Sequence, residues 1–365
     1  MTGKPDYRIL TRHAVTGEWL SKALPLTELE YGWELNGPGA LSGTLKPHLL
    51  HANSTLTDPG TTEIYVERDG LLRWGGLVWD ARPKGSEYAI EAASWSSYLM
   101  HRHVIDTGLG KYSYADPCQI IRDIWAYAQS MPDGDLDVIV DGTVSTAKVG
   151  TSADPYALSW WEVPVLGEKV DDLVSGEATP DYTCDVAWNS AKTAPVKRIR
   201  LGWPRLGTRR TDISFSTGIN IVEDPEVPLA GDDYAQVVIA TGAGDGSAKR
   251  QAVSAVRNGR LRLEQVLDLP DVKAQDVLAA RAGAERIYRQ VLGTVEQITV
   301  RDNRAAPIDS WQAGDDVQVR VTNDWTTFKG WCRVTGWSTK PGADGGEQSV
   351  LQLKPAASYH YGSGA

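Results

Sequence analysis

The residues best suited to phosphate chemistry are the glycines of the run Gly242-Ala243-Gly244-Asp245-Gly246, which comes after an apolar segment typical of a strand. A glycine-rich loop holds phosphate when its amides surround the anion and a helix opens directly behind it. This run lacks the GxxxxGK[ST] spacing, and no clear apolar helix comes after it. The pattern therefore favours a hairpin tip or a bulged turn over a nucleotide site.

Metal chemistry has two sets of candidate residues. His101 and His103 are two positions apart, so a helix would place them on opposite sides, and no nearby residues complete a ligand set. Cys118, Cys184 and Cys332 lie far apart, without the paired spacing of a zinc site or a disulfide framework. We expect three reduced, structural cysteines and no metal ligand.

Hydrolytic chemistry would need a nucleophile elbow, a cysteine with its signature histidine or an H-E-x-x-H helix, and the sequence contains none of these. Acidic pairs occur at Asp171-Asp172, Asp232-Asp233 and Asp315-Asp316. All three border predicted turns, where solvated acids are ordinary, and the last pair belongs to a W-x-x-G-D-x-V turn that indicates a folding role. The residues therefore assign no catalytic and no cofactor-binding position.

Aromatic composition is unusual, with 14 Trp and 14 Tyr against 2 Phe. Amphipathic aromatic side chains suit positions where the ring packs and the polar end stays wet, as at interfaces. Partner surfaces would explain this composition, and so would glycan binding.

The elements that position these residues centre on the stretch Thr61–Arg102. It begins with alternating apolar residues typical of a strand and reverses at Asp69-Gly70, a two-residue hairpin signal. Gly75-Gly76 inside the next apolar run predicts a bent strand, and a third strand leads into helical spacing at Trp95–Arg102.

A similar order of elements recurs from Asp315 to Pro355, with Trp74–Val78 matching Phe328–Cys332. Two related small β-barrels, one at each end of the chain, would explain this. Antiparallel meanders in general share turn residues and alternation, so the duplication stays open at this point.

Between these ends, Asp116-Pro117 predicts a helix start, and a second helix begins after Gly167 and ends at Gly176. Further strands are predicted within residues 7–45, and at 182–188, 199–203, 220–223, 234–240 and 260–265. A third helix starts at Asp271, with one apolar face made of Val277, Ala280, Ala284, Ile287, Tyr288 and Val291.

The fold class that these elements indicate is α+β and mainly β, with enough strands for a small β-barrel at each end of the chain and an α+β region between them. The expected boundaries are 1–100 for the N-terminal barrel, 101–210 and 211–293 for the α+β domains, 294–358 for the C-terminal barrel and 359–365 for a tail.

Charge and hydropathy exclude several function classes. A net charge of −10 argues against a nucleic-acid footprint, which needs a positive field to release phosphate counterions. No apolar run approaches the ~20 residues of a membrane span, and no secretory signal opens the sequence. We expect a protein without a membrane anchor, made and retained in a cytoplasm.

Five features occur in one order along nearly the whole chain: ERDGLLRWGGLVWD, DPCQIIRDIW, GAGDG, AARAGAERIYRQ and WQAGDDVQV. In this order of motifs the chain resembles the tail-hub, or minor tail, proteins of long-tailed phages of actinobacteria, which are similar to baseplate hubs. The resemblance implies two related barrel domains, one from each end of the chain, joined by two α+β domains. It also implies a non-enzymatic homotrimer at the virion tail tip, assembled in the host cytoplasm, whose six barrels adapt the sixfold tail tube to the threefold tip.

The partners that the resemblance implies are a distal tail protein or tail tube ring, the tape-measure protein and tail fibre or receptor-binding proteins. DNA would pass through an acidic lumen without sequence-specific binding. The edges Thr62–Arg68 and Val317–Val321 are expected to contact neighbouring barrels. Some relatives carry a peptidase, lysozyme-like or fibre domain after the hub, and here such an activity is expected in another protein.

Two other function classes remain open. One is a cell-wall carbohydrate-binding module, which would stack sugars on exposed, coplanar tryptophans. The other is a cell-wall hydrolase built on one of the acidic pairs.

Overall fold

The computed structural model describes residues 5–46, 54–175, 179–229, 231–270, 272–290, 293–342 and 346–356. The predicted tail 359–365, and Asp271, Val291 and Gly176 of the predicted helices, lie outside these ranges. The described α-helices are α1 (Pro117–Ser130), α2 (Leu166–Val174) and α3 (Gln275–Arg289), and 3-10 turns lie at Ser54–Thr57, Trp95–His101, Trp160–Glu162 and Gly246–Ala248. The described strands are β1 (Tyr7–His13), β2 (Trp19–Ser21), β3 (Thr27–Glu34), β4 (Ala40–Leu45), β5 (Thr62–Arg68), β6 (Leu71–Lys84), β7 (Glu87–Ala93), β8 (Lys111–Tyr112), β9 (Val138–Val140), β10 (Tyr156–Ala157), β11 (Asp181–Trp188), β12 (Pro195–Gly202), β13 (Arg209–Ser216), β14 (Val237–Thr241), β15 (Gln251–Ala255), β16 (Glu264–Asp268), β17 (Gln297–Arg301), β18 (Asp316–Thr322), β19 (Thr327–Pro341) and β20 (Glu347–Pro355).

One twelve-stranded sheet contains strands from both ends of the chain. Its order is β13-β18-β19-β3-β4-β7-β6-β5-β1-β2, with β20 and β17 attached beside β19. The two ends meet where β3 pairs with β19, with Trp33 opposite Trp337. Within the described ranges these pairings follow an open path, so the mainly β class is confirmed while closed barrels are not seen.

The expected edge strands are interior strands. Thr62–Arg68 lies between β1 and β6, and Val317–Val321 lies between β13 and β19. The prediction that they form the barrel edges was wrong, because a hairpin pattern in sequence shows only one neighbour of a strand and the second neighbour comes from a distant segment.

The two meanders, β5-β6-β7 and β18-β19-β20, share their pairing registers. A bulge on β6 between Val78 and Asp80, opposite β7, corresponds to a bulge on β19 between Val334 and Gly336, opposite β20. Aligning the bulges places Trp74 at Gly330, so the sequence match of Trp74 with Phe328 was two residues out. The hairpin that joins β18 to β19 is longer than the one that joins β5 to β6. The match was based on the alternation of apolar residues, which does not depend on the length of the turn.

Local signals around the first meander are confirmed. Asp69 and Gly70 have φ of +53° and +76°, the left-handed geometry that a tight hairpin needs. At Gly76 a Cβ would lie 2.4 Å from the Ala93 carbonyl oxygen, so the glycine is required by the close approach of β7. The core between the strands of both ends includes Trp74, Phe215, Val319 and Leu351.

A second core packs α1 and α2 against the other side of β5 and β6 and against the sheet β11-β12-β9. The predicted start of α1 is confirmed, since the Cys118 amide donates to Asp116 Oδ1 at 2.9 Å and Pro117 opens the helix. Its apolar stripe, including Ile120, Ile124 and Trp125, is buried. The predicted helix after Gly167 corresponds to α2.

The third and smallest core lies between α3 and the sheet β15-β14-β16. The predicted buried face of α3 was wrong, because Leu278 and Ala282 are its buried residues while Val277 and Ile287 are exposed. The sheet β15-β14-β16 has only three strands and presents small residues such as Ala240 and Ala252 to the helix. It therefore buries only a narrow stripe along α3.

Strand bounds in this region also differ from the sequence predictions. Within residues 220–223 only Ile221 is bridged, to Thr217 and to Val300, and the strand predicted at 260–265 begins at Glu264.

Candidate functional site

The glycine run Gly242–Gly246 connects β14 to its antiparallel neighbour β15, and the Gly242 amide donates to the Arg250 carbonyl at 2.8 Å. It is therefore a hairpin tip, as predicted. The residues directly after it form a single 3-10 turn, Gly246–Ala248, so no long helix follows this loop directly in the chain.

The candidate metal residues are not brought together. The His101 ring packs on Trp79 at a centroid distance of 4.3 Å, while His103 bridges Val165 through its backbone. No group of three or more metal-type side chains occurs among the residues that the structure describes.

The three cysteines are free and buried, as predicted. Burial raises the pKa of Cys118 and of Cys332 to about 12, and burial also raises the pKa of Cys184. All three thiols are therefore held in the protonated, unreactive form at neutral pH.

The acidic pairs lie on separate elements with separate partners. Asp172 pairs with Lys169 within α2, and Asp233 lies near Arg289 of α3. Asp315 and Asp316 are fully buried at the start of β18, where Asp315 accepts from the Thr208 amide. The last pair holds the chain before β13 against β18, which supports the predicted folding role.

A buried ion pair that was not predicted from the sequence joins Glu63 of β5 to Lys197 of β12 at 2.6 Å. The same carboxylate accepts from Tyr65 Oη at 2.7 Å and lies 3.4 Å from Arg12. The sequence feature that could have predicted this pair is the position of Lys197. It lies two residues before Ile199 on β12, so the alternation of side chains places it on the buried face of the strand.

Glu63 has a counterpart in the second meander. It faces Leu77 across the β5–β6 ladder, and at the corresponding register Asp316 faces Arg333. Asp316 is also fully buried and pairs with Arg205 at 2.8 Å. Both meanders thus carry a buried acid that binds a cation from the segment between them.

A polar cluster joins the first strands to the last. Arg68 binds Glu347 at the start of β20 and Asp309 before β18, and Tyr7 of β1 donates to Glu347. Burial raises the pKa of Asp309 above its ordinary value, and Arg73 and Arg68 oppose that rise. Burial raises the pKa of Tyr7 as well, so its hydroxyl stays protonated and can donate.

A groove of about 750 Å³ opens where β3 and β4 meet β19. Three tryptophans, Trp33, Trp79 and Trp337, line it together with carboxylates that include Glu34 and Glu91. Trp337 is 8% exposed, so little of its ring is open to the groove.

Three tryptophans are largely exposed. Trp160 and Trp161 lie on one turn with their rings inclined at 82°, and Trp325 is 94% exposed at the tip of the β18–β19 hairpin. Trp160 and Trp161 therefore do not form the coplanar platform that would stack a sugar chain.

None of the described helices combines the length and apolar character of a membrane span. No model of a known protein family matches the sequence. No curated protein matches it either.

Solved structures do match over nearly the whole chain. The 43 kDa tail protein of prophage MuSo2 from Shewanella oneidensis has a TM-score of 0.63 at 13% identity, covering 97% of this chain and 100% of that one. A tail protein from Neisseria meningitidis MC58 has a TM-score of 0.57 at 14% identity, covering 97% and 98%. Prophage tail protein gp18 from Listeria monocytogenes EGD-e has a TM-score of 0.56 at 9% identity, covering 96% and 95%. The chain therefore shares its fold with phage tail proteins.

Proposed function

We propose that this chain is a non-enzymatic structural protein of a phage tail tip, where it forms the hub. The observation that carries the proposal is the twelve-stranded sheet, in which strands from the two ends of the chain build matching meanders, with β3 and β4 between them. The shared fold with three phage tail proteins supports the same assignment.

In this proposal the matching meanders belong to two related barrel-like units that share the open sheet, one from residues 1–100 and one from residues 294–358, with 101–210 and 211–293 as intervening α+β domains. Three chains would then present six similar units around one axis. A ring of this kind adapts a sixfold tube to a threefold tip, because each repeated surface meets an equivalent neighbour.

The proposed partners are a distal tail protein or tube ring on one face, fibre or receptor-binding proteins on or around the other, and the tape-measure protein within the lumen. The net charge of −10 supports an acidic lumen that repels DNA phosphate and lets the genome slide. The five ordered motifs, from ERDGLLRWGGLVWD to WQAGDDVQV, favour a phage of actinobacteria as the source.

The mass of the purified chain over a wide concentration range, together with negative-stain images, tests this proposal. We expect a trimer that appears as a threefold ring with a central hole. A compact dimer, or a monomer that binds soluble cell-wall glycans, would contradict it.

A cell-wall carbohydrate-binding role is the second candidate, favoured by the groove where Trp33, Trp79 and Trp337 lie among carboxylates. Aromatic rings and acceptor groups together suit sugar hydroxyls and their apolar faces. Titration of soluble cell-wall glycans into the protein tests it, with Trp79→Ala as the groove variant and Trp325→Ala as the matched control outside the groove.

A further inference from the structure

The contact between the two halves of the chain uses one particular strand edge. The pairing of β18 with β19 ends at Arg333. Beyond that point β3 pairs with the same edge of β19, at residues 336–339. The second meander thus binds an extended segment beside its bulge.

The first meander has the corresponding edge, and none of the described strands covers it. Aligning the two bulges places residues 80–83 of β6 at positions 336–339 of β19. Pairing of β5 with β6 ends at Leu77, and among the described residues no strand pairs with β6 beyond it on that side. An unpaired strand edge of this kind is a ready docking surface.

The second meander also has a counterpart of β3. β17 lies beside β20 as β4 lies beside β7, with Gln297 at the position of Ser42 and Thr299 at that of Thr44. The segment Glu223–Pro228 lies next to β17 in the same way that β3 lies next to β4. Together with Gln297 and Thr299 it lines a groove of about 350 Å³. On the side of this segment that faces away from β17, none of the described strands pairs with it.

Charges at the matching positions fit. In the contact within the chain, Glu30 of β3 binds Lys340 at 3.0 Å and accepts from Ser338 Oγ at 2.8 Å. The bulge alignment places Lys84 at Lys340 and Arg82 at Ser338.

The opposing segment carries three exposed acids, Glu223, Asp224 and Glu226, without an ion pair among the described residues. Lys84 is likewise exposed, whereas Arg82 is shared between Asp80 and Glu91.

We propose that the segment Glu223–Pro228 of one copy packs against the edge Trp79–Lys84 of the next copy, with its acids paired to Lys84 and Arg82. The partner of this surface is therefore a second copy of the chain. The contact is heterologous, so it repeats from copy to copy and closes a ring when the rotation permits. It rests on the proposed ring and names the residues that form it.

Prolines limit the backbone part of this contact. Pro83 on the edge, and Pro225 and Pro228 on the segment, have no amide hydrogen to donate. The contact is therefore held by paired charges and packing more than by a complete ladder, and we expect it to weaken as salt rises.

Cysteine cross-linking between two variants tests the contact. A full-length Lys84→Cys chain is mixed with a full-length Asp224→Cys chain under mild oxidation, and the native cysteines do not interfere because all three are buried. We expect a disulfide between the two chains, mapped to these positions by mass spectrometry, and a covalently closed trimer when one chain carries both substitutions.

The matched control replaces Asp224→Cys with Glu18→Cys, an exposed acid on another surface. Cross-linking no greater than in this control would overturn the inference. Native mass measured on the same samples separates the proposed interface from the proposed ring. A trimer without the cross-link would contradict the interface and leave the ring standing, whereas monomers without the cross-link would contradict both.

Discussion

At the residue scale, two buried acids hold the segment between the meanders in place. Glu63 binds Lys197, and at the matching register Asp316 binds Arg205. A buried charge is costly unless it is paired, so each acid forces its cation to a defined position. The pairs therefore serve to fix how the intervening domains sit on the sheet rather than to add net stability.

The substitution Lys197→Met tests this role. It leaves Glu63 buried without its closest cation, and we expect the free energy of unfolding to fall by about 3 kcal/mol. Urea unfolding followed by tryptophan fluorescence measures it. Adding Glu63→Gln is expected to recover part of the loss, because it removes the fully buried carboxylate charge, while Arg12 stays partly exposed and still donates to the Gly17 carbonyl.

The matched control for this change is Lys22→Met, an exposed lysine for which a change within about 0.5 kcal/mol is expected. Equal losses in the two lysine variants would show that the Glu63 pair has no special role.

At the element scale, the contact between β3 and β19 decides the architecture, and Gly32 permits it. A Cβ at Gly32 would lie 1.8 Å from the Trp337 carbonyl oxygen, which is backbone and has little freedom to move. The two strands approach this closely because one of them has no side chain at the crossing.

Gly32→Ala is therefore expected to push β3 away from β19 and to lower the free energy of unfolding by about 1–3 kcal/mol. Thermal or urea unfolding measures the loss, and faster hydrogen exchange near Trp337 would locate it. The control is Gly110→Ala, where a Cβ meets open space. A Gly32→Ala chain as stable as this control would contradict the tight crossing.

At the scale of the whole molecule, the sheet of both chain ends and the small unit of α3 differ in the size of their cores. The core under β6 and β19 draws residues from segments as distant as Ile9 and Leu353. The core under α3 consists of a few small side chains, such as Ala240, with Leu278. Regions with few buried apolar contacts open locally at lower free energy.

We therefore expect the amides of β14 and α3 to exchange with solvent at a lower protection free energy than those of β6 and β19. The amides of β6 and β19 should also share one value, because their strands share one core. Native-state hydrogen exchange read by mass spectrometry measures both. Protection that differs between β6 and β19, or that is equal throughout the chain, would contradict a single shared core.

The sequence by itself determined the features that depend on neighbours along the chain. The hairpin at Asp69-Gly70, the helix start at Asp116-Pro117 and the hairpin tip at Gly242–Gly246 each depend on a few adjacent residues with defined backbone preferences. The repeated order of elements also indicated two matching meanders, although the residue match was shifted by two positions.

Tertiary structure decided the features that depend on contacts between distant segments. Which strand lies beside β19, which face of α3 is covered and which strands have free edges were settled by pairings that leave no local pattern. The ion pair of Glu63 with Lys197 joins strands of two different sheets, so its effect appears only when both are folded. Alternation of side chains fixes which face of a strand is buried, and the choice of its neighbours belongs to the packing of the whole chain.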